Sequence, residues 1–250
     1  MSGHSKWSTI KRQKAVTDTK RGQTFTKLGN AITIAAREGG GADPASNFKL
    51  RLAMDQARAA NMPKENIQRA IERGSGHGGG LDIETVTYEA YAPGKVAVII
   101  EAVTDNKNRT TPQIRGVIEK AGGTFASPGA VSWMFEDSGL INLNKNGKSF
   151  DEIFEAAVEV GAEDVEDAGE LVEVFTKPKD VEKVKNTLVQ KGFSVQSAEI
   201  FKRPTTTVKI SDADLARKVL GLVDKLEELD EVQKVYANFD IEDKILELVR

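Results

Sequence analysis

Apolar residues along this chain change their period between its first third and the remainder. Phe25, Leu28, Ile32, Ala35 and Ala36 recur at intervals of three and four, and Gly39-Gly40-Gly41 closes the run. Leu50, Ala53, Met54, Ala57 and Ala60 repeat the pattern after Asp43-Pro44, which opens the segment, and Asn61-Met62-Pro63 breaks it. Ile67, Ala70 and Ile71 give a third stripe over Lys64 to Arg73, with Gly74 as its stop. That spacing stacks apolar side chains on one helix face, while Pro suits a first turn and glycine runs end a helix. The pattern therefore predicts a compact three-helix bundle over residues 25–75, with Arg51, Arg58, Lys64, Arg69 and Arg73 on its outer face.

Beyond the Gly-rich stretch 76–82, which reads as a flexible hinge, the pattern turns to strands. Val86 to Tyr91 and Val96 to Val103 are strand-like, and Ile114, Val117 and Ile118 mark a helix from about Pro112 to Ala121. Near the end, Thr205 to Ile210 alternates, a helix follows Asp212, and Val232 to Phe239 forms a last strand. The middle carries strands at Val131 to Phe135, Leu140 to Leu143, Glu163 to Val165, Leu171 to Phe175 and Ser194 to Phe201. Helices at about Phe150 to Val160 and Pro178 to Lys191 complete a β-α-β-β-α-β order, which is ferredoxin-like. The expected fold is α+β with three domains. A helical domain precedes an α/β sandwich made of residues 83–130 plus 205–250, into which a ferredoxin-like α/β sandwich, 131–204, is inserted. Two consecutive α/β domains are the alternative.

Charge adds what periodicity leaves out. The net charge of −3 conceals a net of +8 in residues 1–75, and the remainder is strongly acidic. Residues 1–24 form a basic arm, and over residues 2–27 the bases Lys6, Lys11, Arg12, Lys14, Lys20, Arg21 and Lys27 face the single acid Asp18. Few apolar residues accompany them, so burial does not offset the entropy of ordering the segment, and a polyanion is its natural partner. Trp7 suits stacking on a base or ribose, or anchoring the arm to the helices. Only the first third is expected to face phosphate, because the acidic remainder repels it.

Candidate chemistry is sparse. There is no cysteine, which excludes disulfides, thiolate nucleophiles and zinc knuckles. The two histidines are His4 in the arm and His77 in the hinge, and neither position holds a side chain to catalytic tolerance. Glycines 74, 76 and 79 match G-x-G-x-x-G but follow a helix and precede a strand, the reverse of a dinucleotide fingerprint. Acids at Glu163 to Asp167 and Asp240 to Asp243 read as solvated surface. No apolar stretch approaches the ~20 residues of a membrane span, and no secretory signal opens the chain, so a cytoplasmic protein is expected. The loop Thr104 to Thr110, with Lys107 and Arg109, ends a buried strand and feeds a helix N-terminus. It suits either a backbone phosphate or an Asx-type turn with solvated ends.

Several motifs resemble the YebC/PmpR family. They are G-H-S-K-W at 3–7, K-R-G at 20–22, F-T-K-L at 25–28, A-A-R at 35–37, G-G-G at 39–41 and A-N-M-P-K at 60–64. Y-E-A-Y-A-P-G at 88–94, T-D-N-K-N-R-T at 104–110 and the stretch 129–135 extend the likeness to essentially the whole chain. The resemblance implies a helical N-terminal domain followed by two α/β domains, with no known enzymatic activity and no cofactor. Relatives are mostly described as DNA-binding transcriptional regulators, mitochondrial ones as activators of translation, and some bacterial ones as ribosome-associated. The chain departs from the pattern at Gly29 and Asn30, where a larger apolar residue and a base are common, and at Ala130, where serine is common.

These readings converge on a non-enzymatic nucleic-acid-binding regulator of gene expression. Its partner is DNA or ribosomal RNA, the ribosome itself being the alternative, with no membrane and no small-molecule substrate. The expected contacts are Lys6, Trp7, Lys11, Arg12, Lys14, Lys20, Arg21, Lys27, Arg37, Lys64, Arg69, Lys107 and Arg109.

Overall fold

The computed structural model describes residues 18–39, 41–76 and 83–249, with backbone alone at 18–21 and 243. Most of the basic arm and residues 77–82 of the Gly-rich stretch thus lie outside the described residues. Helix α1 spans Asp18–Glu38, α2 Phe48–Ala59 and α3 Lys64–Gly74. α1 begins seven residues before the first apolar position of its stripe. Its buried side carries Ile32 and Ala36, packed with Leu50, Ala57, Ile67 and Ala70.

The second helix opens later than Asp43-Pro44 predicts. Residues 43–46 form a turn in which the Ala45 amide donates to the Asp43 carboxylate at 2.9 Å. Fully buried Asn47 is the actual cap: its Oδ1 accepts from the Leu50 amide at 3.0 Å, and its Nδ2 donates to the carbonyls of Ala35 and Gly41, both at 2.7 Å. One side chain therefore both starts α2 and ties down the end of α1. Arg51, expected on the outer face, is instead drawn into an ion pair with Glu182 and hydrogen bonds to the carbonyls of Pro44 and Ala45.

The first sheet has the order β3-β1-β2-β9 and is antiparallel throughout, with β1 at Glu84–Ala92, β2 at Val96–Thr104, β3 at Thr124–Ala126 and β9 at Val232–Ala237. Helices α4, Lys107–Lys120, and α7, Ala213–Glu227, bury Ile114, Ile118, Val219 and Val223 against one face. Asn106 caps α4 by accepting from the Arg109 amide, which starts that helix before the expected Pro112.

Between β3 and α7 the chain builds a second sheet. Its strands are β4, Phe135–Asn144; β5, Asp164–Ala168; β6, Leu171–Thr176; and β7, Ser194–Pro204. The order β5-β6-β4-β7 is antiparallel, with α5, Phe150–Glu159, and α6, Val181–Gln190, on one face. Its other face meets the first sheet through Leu140, Phe175 and Phe201, packed with Ala97, Ile99, Val131 and Tyr236. That contact explains why β2 reads as a continuous apolar run: both its faces are covered.

Two expected strands are shorter than their patterns. A short strand β8, Val208–Ile210, pairs in parallel with β10, Phe239–Ile241, and the chain closes on helix α8, Asp243–Leu248. Asn238 separates β9 from β10, its Oδ1 accepting from the Ala97 amide at 2.7 Å and its Nδ2 donating to the Thr206 carbonyl at 3.1 Å.

Residues 131–134 also depart from the pattern, forming a turn rather than a strand. Glu89, buried on β1, accepts from the amides of Gly129 at 2.7 Å, Val131 at 2.6 Å and Ser132 at 3.1 Å, which curls the backbone around one carboxylate. Burial alone would raise this carboxyl, but the amides of Val131, Gly129 and Ser132 outweigh it and hold it below its ordinary value of 4.5. A depressed acid contributes stability that is present above the unfolded value and lost as pH falls through the folded one. Glu89→Gln, which sets an amide donor against amide donors, is expected to cost about 1–3 kcal/mol at neutral pH. Denaturant unfolding from pH 7 to pH 3 should show that difference shrinking below about pH 4.5.

Candidate nucleic-acid interface

The arm lies outside the described residues through Lys14, so Lys6, Trp7, Lys11, Arg12 and Lys14 have no placement. Lys20 and Arg21 fall in the first turns of α1, which continues the basic segment as a helix. The remaining candidates divide into two groups.

Lys27 and Arg109 converge on the turn that ends α7, and Lys107 reaches the start of β1. Lys27 Nζ donates to the Glu227 carbonyl, one of the acceptors that a helix C-terminus leaves open. Arg109 pairs with Asp105 at 2.9 Å and Glu231 at 3.1 Å, and Lys107 with Glu84 at 2.8 Å. The helix N-terminus beside them is already served: Asn106 caps it, and the Thr104 hydroxyl accepts from the Asn106 amide at 2.9 Å and bonds the Thr110 hydroxyl at 2.8 Å. The loop's amides are thus met from within, by a Thr104 turn and the Asn106 cap, and both its cations pair with carboxylates. An incoming phosphate would also meet Glu84, Asp105 and Glu231.

Arg37, Lys64 and Arg69 make the second group. All three are exposed on the helical unit. Arg37 reaches Glu38, at 3.4 Å. Arg69 is held along its own helix by the Glu65 carbonyl at 3.3 Å and by the Asn66 amide oxygen, which fixes the guanidinium without neutralising it. Ile67, Ala70, Ile71 and Gly74 bury the opposite side of α3, so its outer face presents Lys64, Gln68, Arg69 and Arg73 with Glu65 and Glu72. That face carries a net of only +1, and most of the positive field must come from the arm and the start of α1.

A cleft of about 430 Å³ separates the helical unit from the two sheets. Its walls carry Lys27, Lys49, Lys202 and Lys234 against Glu38, Glu101, Asp137 and Glu199. Lys202 pairs with Asp137 at 2.8 Å and Lys234 with Glu199 at 2.7 Å. Burial first, then the Glu101 and Glu199 carboxylates, push the Tyr236 phenol well above its ordinary value, so it stays a hydrogen-bond donor, to Glu101 at 3.3 Å. With charges balanced in this way, the cleft offers a polyanion no positive wall.

Comparison with known proteins places the chain. Residues 5–77 match the model of the TACO1/YebC protein N-terminal domain, and residues 83–239 that of the TACO1/YebC second and third domain. The chain belongs to the TACO1/YebC family. It is 52% identical over 248 residues to a protein of Sulfurihydrogenibium sp., covering 99% of this chain and 98% of that one. It is 51% identical over 251 residues to one of Roseiflexus castenholzii, covering 99% and 98%. Both relatives are named probable transcriptional regulatory proteins. The crystal structure of a conserved hypothetical protein from Aquifex aeolicus superposes with a TM-score of 0.85 at 46% identity, covering 92% of this chain and 94% of that one.

Two departures from the family pattern find physical reasons in the structure. Gly29 is buried, its carbonyl accepts from Thr33 Oγ1 at 2.9 Å, and a Cβ there would lie 3.7 Å from Met62 Cε, so the position tolerates small residues without loss of packing. Ala130 acts through its backbone: its carbonyl accepts from the Tyr91 hydroxyl and from Trp133 Nε1, both at 3.1 Å. No side-chain hydroxyl is needed at that position. Sequence reasoning missed Glu89, whose three amide contacts carry no local signature because they lie 40 or more residues away along the chain.

Proposed function

We propose that this protein is a non-enzymatic regulator of gene expression that binds nucleic acid through its basic N-terminal segment and the outer face of the helical unit. The observation that carries this reading is the charge distribution. Residues 1–75 hold a net of +8 and the remaining residues are strongly acidic, with Lys107, Arg109, Lys202 and Lys234 of the sheets each paired with a carboxylate. Phosphate contacts from flexible Lys and Arg supply affinity that is nearly independent of sequence. The names of the relatives support a regulatory role.

The geometry of α3 favours backbone contact over base readout. Reading a duplex requires several side chains presented together to base edges in the major groove. Here Gln68, though exposed, is hydrogen-bonded to Glu72 at 3.0 Å and Arg69 to the Glu65 carbonyl and Asn66, so both are engaged along their own helix rather than free to meet a base edge. Structured RNA, recognised through shape and phosphate, fits this surface, and a ribosome-associated role in translation is therefore the second reading. Sedimentation of lysate through a gradient separates the two. Co-migration with ribosomal subunits that survives DNase and is lost on RNase treatment supports translation; a DNase-sensitive association away from ribosomes supports promoter binding.

A further inference from the structure

Trp133 is 67% exposed, on the turn Ser132–Met134 between the two sheets. An indole left in water at a loop tip is ordinarily mobile, but this one is built in. Its Nε1 donates to the Ala130 carbonyl, which also accepts from Tyr91, and the preceding backbone is curled around the Glu89 carboxylate. Val131 is wholly buried between the sheets. On the other side, the Met134 carbonyl accepts from the Thr205 amide at 2.8 Å and hydroxyl at 3.0 Å. The turn is clamped from both directions, and the ring's one polar group is satisfied internally. What remains on offer is a π face.

The surroundings indicate what that face fits. A Trp anchoring a protein interface usually sits among other well-packed contacts. Here Ser127, Pro128, Gly129 and Ser132 are the exposed neighbours along the chain, and they give no apolar collar. Residues 121–135 contain no charged residue, and in the facing segment 202–209 Lys202 pairs with Asp137 and Arg203 with Asp164 and Glu166, so the ring's surroundings are close to neutral and suit the uncharged face of a base. Glu136 and Asp137, which follow the turn, stand opposite Arg203 and Lys202 in the β4–β7 ladder.

We propose that Trp133 is a stacking platform for an unpaired nucleobase, a second contact for the single-stranded or looped part of the nucleic acid that the N-terminal segment holds by its phosphates. Glu89 is its positioning residue. The inference rests on the reading above as to the class of partner, and adds to it a base-contacting point far along the chain from the arm.

The test uses the full chain carrying Trp7→Phe, which leaves Trp133 as the only one of two tryptophans. Labelled oligouridine and oligodeoxyuridine of about 12 nucleotides are titrated at several salt concentrations, with anisotropy reporting binding and tryptophan emission reporting the ring. Stacking predicts that Trp133 emission is quenched in step with binding. Trp133→Ala should weaken affinity about 5-fold or more with the salt slope unchanged, and Trp133→Phe should recover most of the loss. Quenching by both oligomers, or by one, supports the proposal and assigns the sugar preference. Unchanged melting of the Trp133→Phe variant guards against a folding artefact. Binding with unaltered emission and full affinity in Trp133→Ala would overturn the platform while leaving the arm's role intact, and would pass the ring to a protein partner. Failure of the arm instead shows as an unchanged salt slope in arm variants while the loss in Trp133→Ala persists.

Discussion

Converting Lys11, Arg12, Lys14, Lys20 and Arg21 together to alanine is expected to flatten the salt dependence of nucleic-acid binding by up to about 3.5 to 4.5 log units per decade of salt, at ~0.7 to 0.9 per lost phosphate contact. No other change to this chain should alter affinity as much, because the remaining positive surface is thin. The outer face of α3 nets +1, and Lys27, Lys107 and Arg109 are committed to Glu227, Glu84, Asp105 and Glu231. The stability of the variant should change by no more than a few tenths of a kcal/mol, since none of the five belongs to an apolar stripe of the sequence. Binding isotherms between about 50 and 200 mM salt, paired with thermal melts, check both halves of this expectation. As an internal control, Lys107→Ala and Arg109→Ala should leave the slope where it was.

The second large effect is on the helical unit itself. Gly74 is buried at the end of α3, where a Cβ would lie 2.4 Å from the Thr33 carbonyl oxygen and 2.7 Å from the Ala36 Cβ. Thr33 also binds the two helices directly, its Oγ1 donating to the Ala70 carbonyl at 3.0 Å. Gly74→Ala gains up to about 1 kcal/mol of helix propensity. The clash is with backbone, which cannot swing aside, and overpacking of this kind costs about 1–3 kcal/mol or more. The clash should win. We expect a net loss of stability with α3 displaced from α1, read as faster amide exchange over residues 64–74. Affinity should fall with it, because Lys64 and Arg69 ride on that helix. Gly116→Ala is the matched control: it is also helical, nothing lies within 4 Å of the added carbon, and the same substitution should be neutral or stabilising.

How much of this was legible in the sequence depends on the range of the interaction that decides each feature. The stripes of Ile32, Leu50 and Ile67 predicted the helices because burial of one face is a local, periodic signal. The β-α-β-β-α-β order likewise predicted the second sheet. Boundaries failed where one distant or unusual polar side chain overrides propensity. Asn47 moves the start of α2 because it must also satisfy the Ala35 and Gly41 carbonyls. Glu89 turns a strand-like run at 131–134 into a clamped loop. Asn238 cuts the final strand in two.

The candidate site shows the same limit. Lys107 and Arg109 looked available because an ion-pair partner such as Glu231, 122 positions along the chain, leaves no trace beside them. Arg51 looked solvated for the same reason, its partner Glu182 being 131 positions distant. Composition, by contrast, gives the arm's charge directly but not its conformation: residues 1–17 lie outside the described residues, and 18–24 of the expected arm are the opening turns of α1.

Ultraviolet crosslinking of the full chain to bound RNA or DNA, with the attached peptides identified by mass spectrometry, tests the central claim most directly. The account predicts crosslinks concentrated in residues 2–37 and 64–73, with one further peptide containing Trp133 where the ring stacks on a base. Crosslinked peptides drawn only from the two sheets, with the first 75 residues unlabelled, would contradict it.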